Sequence, residues 1–246
     1  MSQIVHPRGS PRVQPRLRWS VWSRWTAANT LAETLGLGAT LLLGILLFTQ
    51  AETVIGPIGV ALLGILLGAL LEGGIVGTAQ WLALRGALPA LSWRSWAAAT
   101  AIGAGLAWTL GMIPSTLFAL LAPASSATTG AQAQEPTAWA LYGGAAALGL
   151  VGGAVLALAQ WRTLRYHVPR AVWWLPANSC AWAVGIALIF VGTSLIPASG
   201  LTPGSAAALI ACVIAAGATV GAINGLALIW LLRERDRQAV AQAVQP

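Results

Sequence analysis

Charge is what this chain has least of. Charged residues make up 8% of its 246 positions, against roughly 25% in an ordinary soluble domain. Hydrophobic residues make up 57%, and mean hydropathy is +0.77. So few charges cannot cover a soluble surface, which excludes the one or two soluble domains that the length alone would suit. Lysine is absent, and the thirteen basic residues are all arginine. The two cysteines, Cys180 and Cys212, both lie in apolar runs, which leaves no disulfide framework and no thiolate metal spacing. The two histidines, His6 and His167, are far apart, each near a proline. His-based catalysis therefore has no partner set. No Walker A, H-E-x-x-H or G-x-S-x-G sequence occurs, nor a G-x-G-x-x-G in a strand–helix context. The loops are too short to hide a soluble catalytic domain. A non-enzyme without cofactor or metal is expected.

What is present is apolar helix. A bilayer core about 30 Å thick needs roughly 20 apolar residues to cross it as a helix. Six segments qualify, near 27–49, 55–84, 95–120, 137–161, 171–196 and 205–232. The expected fold is all-α: a polytopic membrane protein with six transmembrane helices. Residues 1–25 read as a basic, partly disordered cytoplasmic segment, 26–232 as the transmembrane domain and 233–246 as a short cytoplasmic tail. Trp19, Trp22 and Trp25 follow the first arginines at helical spacing and suit an approach to the membrane interface. Pro114 is expected to kink or end the third helix, whereas Pro176 falls in a first turn, where its missing N–H matters little.

Orientation follows from the arginines. Arg8, Arg12, Arg16, Arg18 and Arg24 precede the first helix. Arg85 and Arg94 separate the second and third, and Arg162, Arg165 and Arg170 the fourth and fifth. Arg233, Arg235 and Arg237 follow the sixth. With six crossings all of these fall on one side. The opposite loops carry only Glu52 and Glu135. The positive-inside rule then places both termini in the cytoplasm of a bacterial plasma (inner) membrane. A basic pI of 11.3 is thus explained by topology, and nucleic acid is not an expected partner. A cleaved signal peptide is the competing reading of the first helix. It lacks a clear A-x-A site, so the uncleaved helix is expected.

The chain also repeats itself. Ala79-Gln80-Trp81-Leu82-Ala83-Leu84-Arg85 closes the second helix and Ala159-Gln160-Trp161-Arg162-Thr163-Leu164-Arg165 the fourth. At the same offset Pro89 matches Pro169, Trp93 matches Trp173 and Gly105 matches Gly185. In the sixth helix Gly217, Gly221 and Asn224 stand for Gly73, Gly77 and Gln80. Trp25-Thr26-Ala27-Ala28-Asn29-Thr30 resembles Trp174-Leu175-Pro176-Ala177-Asn178-Ser179, with Gly36 against Gly185 downstream. Three helical hairpins in parallel repeat are expected, related by an axis along the membrane normal. Glycines spaced by four, as at Gly73/Gly77, Gly149/Gly153 and Gly217/Gly221, let helix backbones approach closely. Arg85 and Arg165 follow Trp81 and Trp161 at i+4, so each guanidinium can lie over an indole face and reach the phosphate level. With Arg233 these are the expected interfacial anchors.

Gly-rich helices ending in Q-W-x-x-L-R, followed by a P-x-x-x-W entry into the next span, resemble a group of uncharacterised multi-pass bacterial membrane proteins. The resemblance covers 73–105 and 149–185, with an echo at 217–233. It implies architecture and no chemistry. The sixth helix departs from it, with Asn224-Gly225 in place of Gln-Trp.

Four residues form the candidate intramembrane polar site: Glu72, Gln80, Gln160 and Asn224. Glu72 lies about 13 residues, roughly 20 Å, from Arg85 along its helix. An intramembrane acid is a functional candidate by default, although a neutral acid hydrogen-bonded to a neighbouring helix explains it too. It has no repeat counterpart, since Gly152 and Ala216 hold its place. The three amides would share a depth if the hairpins surround an axis, either lining a polar path or setting helix register; register is the favoured reading. Glu33, two turns into the first helix, is expected to meet a loop arginine or interfacial water. His167 reads as a hydrated loop residue and the cysteines as packing residues. Paired acids, which a lipid-modifying enzyme would need, are not evident. The expected function is a non-enzymatic helix-packing scaffold or accessory subunit. Its partners would be the lipid bilayer and a second copy or another membrane subunit. The alternative is a small-solute or proton-coupled transporter or channel that uses Glu72.

Overall fold

A computed structural model of the chain describes residues 15–121 and 137–244, without side-chain detail at 15–18, 47–53, 115 and 118–119. The disorder expected of the first fifteen or so residues, and the Ala/Ser/Thr-rich stretch near 121–136 that reads by composition as a flexible linker, fall almost wholly outside the described residues.

Among the described residues six helical segments are long and apolar enough to cross a membrane. The first span is Trp19–Leu46 and the second Val54–Leu84. They are joined by helix that breaks at Gly56 (φ 66°, ψ 177°), immediately before Pro57. That left-handed φ suits glycine, and Pro57 has no N–H to continue the ladder. The third span is the helix Trp93–Leu121, the fourth Ala138–Leu164 and the sixth Pro203–Val244. The fifth begins with a tight turn at Ala171–Trp173 and continues as Trp174–Ser194. Side chains cap two of these starts. Thr137 Oγ1 accepts from the N–H of Ala140 at 3.3 Å. Thr202 and Ser205 cap each other reciprocally, at 3.2 and 2.9 Å, which satisfies N–H groups that a helix start leaves unbonded.

Helix is continuous from Pro15, within the segment 1–25 read as partly disordered. The third helix does not end at Pro114 but runs through it to Leu121, close to the end expected near 120. The tail read at 233–246 continues the sixth helix to Val244, because nothing in Arg233-Glu234-Arg235-Asp236-Arg237 or the Ala-rich sequence after it breaks a helix.

Consecutive spans pack on one another, and the sixth closes on the first, so the six form a ring. The glycine stripes make this closeness possible. A Cβ on Gly77 would stand 2.9 Å from the Ala97 Cα, and one on Gly153 2.7 Å from the Asn178 carbonyl oxygen. Gly217 and Gly221 meet Thr30 and Thr26 of the first span in the same way. Each even span thus presents its small residues to an odd one. The Gly105–Gly185 match fails this test. Gly105 faces Ala69 of the second span, while Gly185 faces Val220 of the sixth.

The outside of the ring is greasy. Leu31, Leu62, Leu70 and Ile102 are 60–68% exposed, an arrangement that water would penalise by about 25 cal/mol per Å2 and lipid would not. The described arginines gather at one end. Arg24 donates to the Leu82 carbonyl (3.4 Å), Arg235 to that of Ala87 (2.9 Å), and Arg170 pairs with Glu234 (3.4 Å). The described fold is all-helical, with six helices long and apolar enough to cross a membrane, and is consistent with an integral membrane protein.

Candidate functional site

One helical turn beyond the arginines, the interior is closed by indoles. Trp25, Trp96 and Trp174 are fully buried or nearly so, at 0%, 0% and 1% exposure. They meet edge to face, Trp174 lying 5.7 Å from Trp25 and 6.4 Å from Trp96 between ring centroids. Leu84, Leu164 and Leu231 fill the space toward the arginine end. Trp25 is thus a core residue and not the interfacial one expected from its arginine-rich surroundings. Trp22, by contrast, is half-buried and donates to the Ala222 carbonyl (3.0 Å).

The three amides surround this cluster. Gln80 accepts from the Trp96 indole N–H (3.1 Å) and donates to Asn29 Oδ1 (2.9 Å). Gln160 accepts from the Trp174 indole N–H (2.9 Å) and donates to Thr100 Oγ1 (3.1 Å) and to Gln80 Oε1 (3.0 Å). Asn224 donates to Asn178 Oδ1 (3.0 Å). In each case the amide of an even span donates to a polar residue of the preceding odd span. In two cases it also accepts from the tryptophan of the following odd span. The third acceptance is missing. The Trp25 indole N–H and the Asn224 Oδ1 are both buried without a partner. Asparagine is one methylene shorter than glutamine, and the gap falls where the sixth span departs from the Q-W pattern.

Asn29, Thr100 and Asn178 lie four residues after their tryptophans and hydrogen-bond back to the tryptophan carbonyls at 2.8, 3.0 and 3.1 Å. Their signal was in the sequence as a Trp-x-x-x-polar recurrence. It was hidden because Trp93, not Trp96, falls at the repeat offset. Trp93 and Trp173 are about half exposed, on the outer surface.

Glu72 stands apart from the amides, eight residues or roughly 12 Å along the helix from Gln80. The four candidates are therefore two sites. Its position rests on a π-helical turn, Gly68–Glu72, in which the Gly73 N–H bonds to the Gly68 carbonyl. Such turns concentrate at functional positions. The Trp108 indole sits on the bare Cα of Gly68 and donates its N–H to Glu72 Oε2 at 2.7 Å. Glu72 is 7% exposed and lines a cavity of about 280 Å3. The rest of the lining is apolar, with Trp108, Trp182, Phe190, Met112 and Leu156 among its walls.

Glu33 is the second correction. It is 2% exposed, its Oε2 has no hydrogen-bond partner, and among the described residues it pairs with no arginine. Helical rotation turns it into the bundle, where its Cβ packs on Gly217. Gly36, one turn further on, rests on the Glu72 Cα. Two buried acids thus stand on facing spans that share no sequence pattern, Glu33 one turn from the glycine that rests on the Glu72 backbone.

The Arg85 guanidinium lies 5.8 Å from the Trp81 ring centroid and that of Arg165 5.0 Å from Trp161. Arg233 is exposed at the same end. Cys180 and Cys212 are free. Among the described residues no three His, Cys, Asp or Glu side chains gather as metal ligands. No family model matches the chain, and no curated protein or solved structure matches it either.

Proposed function

We propose that this protein is a non-transporting membrane scaffold or accessory subunit, built from three parallel two-helix repeats around a sealed axis. One observation carries the reading: the amides that would have lined a polar path are bonded to indoles and to one another. Gln80 and Gln160 spend both ends of their side chains in this way. Three tryptophans fill the space between them. A solute passing through would have to break several buried hydrogen bonds, each leaving groups whose desolvation is worth about 1–3 kcal/mol. The recurrence of one bonding pattern on Gln80, Gln160 and Asn224 supports the repeat. The gathering of arginine at one end supports cytoplasmic termini. The resemblance to uncharacterised multi-pass bacterial membrane proteins agrees with an inner-membrane location. The lipid bilayer, a second copy or another membrane subunit would be the partners.

A transporter or channel that uses Glu72 is the second reading, favoured by one observation: Glu72 lines a cavity. Proton flux in proteoliposomes separates the two. A scaffold gives wild-type flux equal to that of protein-free liposomes. Flux above that background, abolished by Glu72→Gln with folding intact, would establish the transporter.

A further inference from the structure

We propose that the Glu72 cavity is a binding site for a small lipophilic organic cation, an amine or quaternary ammonium bearing an apolar body. The lining offers one ionisable group, Glu72, and otherwise aliphatic, aromatic and glycine surface. The carboxylate itself is presented deliberately. The π turn at Gly68–Glu72 rotates it inward, and Trp108 holds one oxygen.

Three features select a positive charge. Glu33 is buried on the facing span with an unpartnered oxygen, one turn from the Gly36 that rests on the Glu72 Cα, so a second acid lies in the same part of the interior. Among the described residues neither is paired with an arginine; Arg85 is thirteen residues away, roughly 20 Å along the helix. An entering cation would meet the Glu72 carboxyl in surroundings that screen their attraction far less than bulk water does. Trp108, Trp182 and Phe190 in the walls add ring faces that attract cations.

The walls also reject a bare metal ion. Calcium takes about 6–8 oxygen ligands, and the lining supplies no oxygen-bearing side chain besides Glu72. A cation with its own hydrocarbon needs no such shell. The cavity, about 280 Å3, sits near the lower end of known small-molecule sites, which limits the guest to something like one ring and a short head group. This site goes beyond the scaffold reading. The indole–amide layer lies between the cavity and the arginine end, so the guest binds in a dead-end pocket.

Benzyltrimethylammonium and its uncharged carbon isostere, neopentylbenzene, test the assignment. Binding to purified protein is measured by equilibrium dialysis, with protein-free micelles subtracted. Wild type is expected to bind the cation, and Glu72→Gln to weaken it by at least about tenfold while leaving the neutral isostere unaffected. Gly111→Leu checks the location independently of the acid. Gly111 lines the cavity and a Cβ there meets nothing within 4 Å, so the variant fills the pocket without disturbing a helix contact. It is expected to reduce binding of both compounds. Cation binding that is absent in wild type, equal in Glu72→Gln, or undiminished in Gly111→Leu would overturn the proposal.

Discussion

At the scale of single residues, the informative position is the one where a pattern breaks. Trp96 and Trp174 each donate to a glutamine, whereas Trp25 faces an asparagine that falls short. Asn224→Gln should complete the third bond and raise stability by about 1 kcal/mol, read as a higher thermal midpoint in detergent. A lower midpoint would mean that the pocket around Asn224 has no room for the methylene. Gln160→Ala has the opposite expectation. It strands the Trp174 N–H and removes the donor that reaches Thr100 Oγ1, and should cost about 1–3 kcal/mol. Legibility at this scale was uneven. Gln80, Gln160 and Asn224 were readable because they recur at fixed distance from glycine stripes. Trp25 was not, because a core tryptophan and an interfacial one look alike beside arginines. Trp96 escaped because Leu84 to Trp96 spans two residues more than Leu164 to Trp174, which shifts the repeat offset. That Glu33 and Glu72 stand on facing spans could not be read from periodicity, which reports the face of one helix and not its neighbour.

At the scale of helices, backbone contact is the organising feature. Gly153→Ala would place a methyl 2.7 Å from the Asn178 carbonyl oxygen and should destabilise the pairing of the fourth and fifth spans by about 2 kcal/mol. Gly144→Ala, where a Cβ meets nothing within 4 Å, should be neutral or stabilising by less than about 1 kcal/mol. Equal effects of the two in thermal unfolding would refute the close-packing role of the stripe. The π turn gives a sharper test. A methyl on Gly68 would enter the Trp108 indole, so Gly68→Ala should displace that ring and break its bond to Glu72. The tryptophan emission should shift, and adding Trp108→Phe should remove the difference. Helix existence was legible because bilayer thickness sets a length that a hydropathy window detects. The π turn was not, since one extra residue in a helical turn leaves no mark in an apolar sequence.

At the scale of the whole molecule, the two ends of the bundle differ in kind. The arginine end is a buried core of indoles and leucines tied by amides, bordered by arginines. Beyond it lies an otherwise apolar cavity lined by one acid, Glu72. A reporter fused after Pro246 should be active in the cytoplasm; periplasmic activity would reverse the arginine-based orientation. Whether the amide–indole layer seals the axis is most directly measured by hydrogen exchange at the indoles. In protein labelled with 15N at tryptophan and dissolved in detergent, the N–H signals of Trp96 and Trp174 should persist in D2O after those of exposed Trp139 and Trp173 have vanished. A water-lined path through the layer would instead let Trp96 and Trp174 exchange as fast as the exposed rings, and the sealed scaffold would be wrong.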